Sequence, residues 1–176
     1  AAIRVEGDRL FIDYEPTATG SGYVAPSVML EFGARSTGEP ASLRDVVCDA
    51  SGLIDGLIFP TARPRVMHAE RTFWEKATAI HVFCHQDRLR GDRFARHWHD
   101  VARLHEAGLA DAAFADRELA NAVARHKSMF FAEKAADRSP IDYGAAVNGG
   151  LQLVPAGDGA KALEDDYARM VEDGLL

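Results

Sequence analysis

The chain has 176 residues, a formal net charge of −7 and 47% hydrophobic residues. That length fits one ordinary domain, or part of a larger protein, and is enough for a packed core. The acidic balance excludes a generally basic nucleic-acid coat protein, and no apolar run reaches membrane-spanning length. Cys48 and Cys84 stand far apart without CxxC spacing; this argues against a disulfide framework and fits a reducing cytoplasm.

The charge is unevenly spread. Thr61 to His105 carries nine Lys or Arg against five Asp or Glu, an excess of +4 that leaves −11 for the remainder. A basic face on an acidic body suits a nucleotide, a polyphosphate or a short RNA element better than extended duplex.

In chain order, Ile3 to Glu6 and Leu10 to Tyr14 flank Gly7-Asp8-Arg9 and predict a hairpin. A polar turn over 17–22 follows. Ser27 to Arg35 alternates as a strand, with Met29, Glu31, Gly33 and Arg35 on one face and Val28, Leu30, Phe32 and Ala34 on the other. Glu31 and Arg35 thus lie on the less apolar side. Val46 to Cys48 predicts a short strand, Leu53 to Phe59 a strand or short helix, and Arg65 to His68 a further strand. Thr72 and Glu75 have capping-box spacing at the start of a helix reaching His85, packed through Phe73, Ala77, Ile80 and Cys84. Asp92 is placed to cap a second helix to about His105, where Gly108 interrupts, and Asp116 begins a third to Phe131 or beyond. A short apolar run, Leu151 to Val154, precedes a last helix over Ala160 to Glu172. Strands followed by helices predict an α+β fold, with residues 1–68 forming the sheet part and 69–176 a helical part packed with it as one unit.

On the second helix, Arg93, Arg96, His97, Asp100 and Leu104 share one direction, while Phe94, Trp98, Val101 and His105 lie about a right angle away. An apolar stripe therefore anchors an edge bearing two arginines, a histidine and a carboxylate. Arginine forks suit phosphate oxygens, and carboxylates beside a lysine suit phosphoryl or nucleotidyl transfer. Arg96 and Asp100, four apart, equally fit an ordinary helix salt bridge, and Lys76 and Lys127 equally fit exposed surface lysines.

Several blocks together resemble the carboxyl-terminal half of the AbiEii/AbiGii-type nucleotidyltransferase toxin family, within the wider DNA polymerase β-like nucleotidyltransferase fold. They are Ala25-Pro26-Ser27-Val28-Met29-Leu30-Glu31-Phe32-Gly33, Arg71-Thr72-Phe73-Trp74-Glu75-Lys76-Ala77, and Arg93, Arg96-His97 and Asp100. Arg125-His126-Lys127-Ser128-Met129-Phe130-Phe131, Leu151-Gln152-Leu153-Val154-Pro155 and Asp166-Tyr167-Ala168-Arg169-Met170 complete the set. The resemblance covers nearly the whole chain. It implies a partial nucleotidyltransferase palm of hairpin and mixed strands followed by a helical cap. It also implies transfer of NMP from an NTP to tRNA or another small RNA acceptor, with Mg2+ or Mn2+, by the toxin of a toxin–antitoxin pair with a cognate antitoxin. Glu31, Lys76 and Asp100 are the implied catalytic positions, Glu31 for metal organisation or acceptor activation, Lys76 for nucleotide phosphate and Asp100 for orienting the charged pocket. Lys127 in a family-like block, Arg35 on the strand face, and Arg93, Arg96 and His97 on the helix edge are the candidate phosphate- or substrate-binding positions.

One departure carries weight. The family's GG[ST] motif and following paired Asp residues do not occur, since Gly149-Gly150 is followed by Leu151. The chain is therefore expected to be a C-terminal portion, inactive by itself, whose principal metal ligands lie elsewhere. Two other readings stand beside this one. His81, His85, His97, His99 and His105 with Cys84 offer a metal-hydrolase reading, though no HExxH pattern is present. Arg88, Arg90, Arg93, Arg96 and Arg103 offer a non-enzymatic RNA-binding or antitoxin-like module.

Overall fold

The computed structural model describes residues 2–17, 22–35, 37–86 and 92–175. It is an α+β chain in which strands precede helices. Strands β1 (Ala2–Glu6), β2 (Arg9–Asp13) and β3 (Ser27–Glu31) form an antiparallel meander in the order β1-β2-β3. Gly7, at φ +62, takes the positive-φ position of the two-residue hairpin turn, where a Cβ would be strained. The register places Ile3, Ile12 and Val28 in one cross-strand row and Val5, Leu10 and Leu30 in the next. One face is therefore wholly aliphatic. The other carries Arg4, Arg9, Phe11, Asp13, Met29 and Glu31, with Arg4 bonded to Asp13 at 2.7 Å.

The remaining strands are short. β4 (Ala41–Leu43) pairs with β7 (Arg65–Met67), and β5 (Val46–Val47) with β6 (Thr61–Ala62). Every strand pair among the described residues is antiparallel, and the strands divide into three small sheets. Leu53 to Phe59 is turn and irregular chain, neither strand nor helix. Its apolar side chains Leu53, Leu57 and Ile58 are exposed, and without burial there is little to order a strand there.

Helix α1 (Ala69–Gln86) is the axis of the helical part. Phe73, Trp74, Ala77 and Ile80 are each almost fully buried. Phe73, Trp74 and Phe114 meet edge to face at 5.2–5.5 Å between ring centroids, and the Trp74 indole N–H donates to the Ala113 carbonyl at 3.0 Å. The expected capping box is not formed. The helix starts three residues before Thr72, whose hydroxyl donates back to the His68 carbonyl, and Glu75 is engaged elsewhere.

Around α1 pack α2 (Arg96–Glu106), α3 (Leu109–Ala115) and α4 (Arg117–Phe130). Gly108, at φ +73, ends one helix and opens the next, so the expected interruption is followed at once by a short helix the periodicity did not announce. Asp116 caps α4 as its position predicts, accepting from the Leu119 N–H at 2.9 Å. Beyond α4, α5 (Tyr143–Ala145) runs into a kinked turn (Ala146–Gly150) in which Asn148 and Gly149 leave helical geometry, and Leu151 to Val154 belongs to no helix or strand among the described residues. There the Leu153 carbonyl accepts from the Trp98 indole N–H at 2.7 Å. The last helix is α6 (Gly157–Glu172). Among the described residues no helix is long and apolar enough to cross a membrane.

α2 departs from its expected start. It begins at Arg96, so Arg93 precedes the helix and does not share a helical face with Arg96 and Asp100. Asp92 does not cap it; its carboxylate meets Arg169 at 3.0 Å. The capping group comes from α6. Asp166, 1% exposed, accepts from the Ala95 and Arg93 backbone N–H groups, both at 2.8 Å, and from the Tyr23 hydroxyl at 2.9 Å. Arg93 sits at φ +65, a conformation a non-glycine residue adopts at a cost, and the Asp166 carboxylate holds it there.

Candidate active site at the junction of three helices

Lys76 lies on α1 and Asp100 on α2, and the packing of these helices brings the ammonium Nζ onto Asp100 Oδ2. The pair is partly open to solvent, with side chains 25% and 39% exposed. One turn before Asp100, His97 packs its ring against Phe83 and Phe94 at about 6 Å. Burial pushes His97 down to about 4, and the neighbouring cations Lys76, Arg96 and Lys127 add to that shift while Asp100 opposes it. The imidazole is therefore neutral near pH 7, and its buried Nδ1 has no hydrogen-bond partner among the described residues.

A second, more buried line of charge runs beside it. Lys127 of α4 meets Glu75 Oε2 at 2.6 Å, Glu75 Oε1 meets Arg71 at 2.9 Å, and Arg71 donates to the Glu39 carbonyl at 2.7 Å. Arg71 is 4% exposed, so Glu75 is the counter-charge that permits two cations to be withdrawn from water. Lys127 also lies 4.8 Å from the centre of the Phe131 ring, and the Arg35 guanidinium 5.3 Å from the same ring. The Arg35 carbonyl bonds His126 Nε2 at 2.6 Å. The segment after β3 is thus tied to the end of α4, next to Lys127.

Lys76, Asp100 and His97 form one cluster, with Lys127 and the exposed Arg96 close enough to act on the imidazole. Arg35 approaches through Phe131. Glu31, by contrast, is half exposed at the end of β3, and its ion pair runs to Arg9 across the ladder at 3.6 Å, not to the Lys76–Asp100 pair. Arg93 is exposed and held through its backbone, away from the helical edge expected for it. Arg88 and Arg90 lie outside the described residues.

Sequence reasoning overlooked Arg71, Glu75 and Asp166 as connected charges. The i,i+4 spacing of Arg71 and Glu75 was a signal for the first pair, obscured by the capping-box reading. Nothing local announces that Asp166 caps a helix some seventy residues earlier.

Magnesium asks for several oxygen donors converging on one point. Among the described residues no group of three or more His, Cys, Asp or Glu side chains could hold an ion. Glu31 is engaged with Arg9 and Asp100 with Lys76, so these residues do not make a magnesium site by themselves. The histidine reading is not supported either. His81 and His85 lie with ring centroids 4.3 Å apart, but His81 Nδ1 accepts from the Gln152 N–H at 3.1 Å, and a third ligand is missing among the described residues.

A lysine fixed by an aspartate across two helices, flanked by further cations and a neutral histidine, is a set of groups that can receive a polyanion. Residues 1–175 match the family described as Nucleotidyl transferase AbiEii toxin, Type IV TA system, and the chain belongs to that family. Neither a curated protein nor a solved structure matches it.

Proposed function

We propose that the chain is the C-terminal part of a metal-dependent nucleotidyltransferase, the toxin of a toxin–antitoxin pair, which moves a nucleoside monophosphate from an NTP to tRNA or another acceptor. The observation that carries this reading is the Lys76–Asp100 pair, made by residues distant in sequence and set among Arg96 and Lys127. Lys76 meets a nucleotide phosphate oxygen, and Asp100 orients its ammonium. Lys127 and Arg96 add positive potential, with Arg35 near the same edge, where fixed charge stabilises what develops on phosphoryl oxygens. His97, being neutral, adds no further repulsion among the cations. Glu31, on the charged face of the meander and paired with Arg9, serves metal or the acceptor hydroxyl only together with carboxylates from outside these residues.

A divalent ion, when bound, supplies Lewis-acid stabilisation of the transferred group. Its principal carboxylates belong to the GG[ST] and paired-Asp segment that these 176 residues lack, so they alone transfer little or nothing. The test compares the 176 residues with a polypeptide in which that segment precedes them, using labelled NTPs, a small-RNA pool and the same magnesium concentration. Transfer by the longer polypeptide alone is the expected result. Equal transfer by both removes the claim of inactivity. Absence from both, with NTP bound, shifts the reading to a nucleotide- or RNA-binding regulator.

A further inference from the structure

Beside the charged cluster, α1 continues into an aromatic cavity of about 210 Å³. Ala79 and Phe83, one and two turns beyond Lys76, line it together with Phe94, Phe131, Tyr143 and Glu133, whose carboxylate accepts from the Gln86 amide at 3.1 Å. Lys127 is common to both features, since its ammonium meets Glu75 while the residue also lines the cavity. The volume lies below the roughly 300–1,000 Å³ of pockets that take drug-sized ligands. It suits one ring system, not a whole nucleotide. The Phe83 and Phe94 rings are in edge contact at 4.5 Å, and the Tyr143 hydroxyl is fixed on the Phe131 carbonyl at 2.7 Å, so the walls are held before anything enters.

Resting on the nucleotidyltransferase reading, we propose that this cavity is the subsite for the nucleobase of the bound nucleotide, with the triphosphate running from it past Lys127 toward Lys76. An aromatic cavity alone does not choose its occupant. Here cations adjoin it, and the ligand they complement joins a flat ring to a polyanion. Stacking on aromatic side chains tolerates any base, because every base has a π-face.

The experiment measures binding of ATP, CTP, GTP, UTP and inorganic tripolyphosphate to the 176-residue chain by titration calorimetry in magnesium buffer. Ala79→Leu fills the cavity, and Phe83→Leu removes a ring while keeping the wall apolar, so the second variant serves if the first does not fold. In the unsubstituted chain at least one nucleotide is expected to bind about tenfold more tightly than tripolyphosphate, the weight of roughly one base–aromatic stack. In either folded variant that advantage disappears while tripolyphosphate binding is unchanged. Equal affinity for nucleotides and tripolyphosphate in all proteins overturns the base subsite and leaves the phosphate reading intact. Loss of tripolyphosphate binding in both variants also overturns it, making the cavity a mere support for the cations. If the unsubstituted chain binds none of the five, the same titrations on the polypeptide in which the metal-binding segment precedes it decide, and equal affinity for nucleotides and tripolyphosphate there overturns the base subsite.

Discussion

Lys76 and Asp100 are partly open to solvent, and that decides what their loss should do. An ion pair of this exposure contributes about 1 kcal/mol or less. Lys76→Ala or Asp100→Ala should therefore leave the urea midpoint nearly unchanged. In the polypeptide that also carries the metal-binding segment, each should lower transfer by about 100-fold or more, the scale of losing one group that meets developing charge. Normal turnover in either folded variant removes that residue from the site. Glu75 should behave in the opposite way. Its carboxylate holds Arg71 and Lys127 together, and Glu75→Ala strands a buried guanidinium, a change that costs about 3–5 kcal/mol. Chemical denaturation reads this directly, and a loss below about 1 kcal/mol would refute the buried-network account.

At the level of elements, α2 depends on a carboxylate donated by α6. Asp166 is buried, which alone would raise its pKa, but the Ala95 and Arg93 N–H groups and the Tyr23 hydroxyl outweigh burial and hold it below the ordinary 3.8. A carboxylate with a depressed folded pKa contributes stability that is present above its unfolded value and lost as pH falls through the folded one. Asp166→Ala removes three hydrogen bonds to one buried group and should cost about 2–4 kcal/mol. Hydrogen exchange should show the loss first at the start of α2, because the backbone groups it leaves unpaired are there. Uniform loss of protection across all helices would argue against a capping role. The β1–β3 meander is differently constituted. Its aliphatic face leaves Ile3 68% and Val5 70% exposed, so it gains little from burial on that side.

For the whole molecule, two histidines set the response to mild acid. His97 and His81 are both pushed down to about 4, each chiefly by burial, with cations acting on the first and His85 on the second. Below their ordinary 6.5 the unfolded chain takes up protons that the folded chain refuses. Stability is full above about pH 6.5 and falls progressively toward pH 4, with a slope approaching about 1.4 kcal/mol per pH unit for each histidine. Denaturation midpoints from pH 7 to 4.5 check this, and His97→Gln should reduce the slope. Bound triphosphate would offset Lys76, Arg96 and Lys127, so the His97 imidazole should titrate at a higher pH with the anion than without it. Nuclear magnetic resonance of that ring gives the comparison.

The pattern of residues by itself determined much of this. Alternation over Ser27 to Arg35, of which only Ser27 to Glu31 forms strand, and the 3.6-residue spacing of Phe73, Ala77 and Ile80 are local signals, because a strand or helix exposes its buried side at a fixed period. They announced β3 and α1, and Asp116 announced the start of α4. Lys76 and Asp100 stood out as candidates by residue type and by the family-like blocks around them, and the packing of α1 and α2 pairs them. Tertiary structure decided which charges meet. It gave Glu75 to Arg71 and Lys127 instead of a helix cap, and took Arg93 off the helix by fastening its backbone to Asp166. It paired Glu31 with Arg9 and set an aromatic cavity beside Lys127. Ion pairs and caps of this kind join residues tens of positions apart. Which carboxylate is nearest depends on how the helices pack, and periodicity along one segment carries no information about that distance.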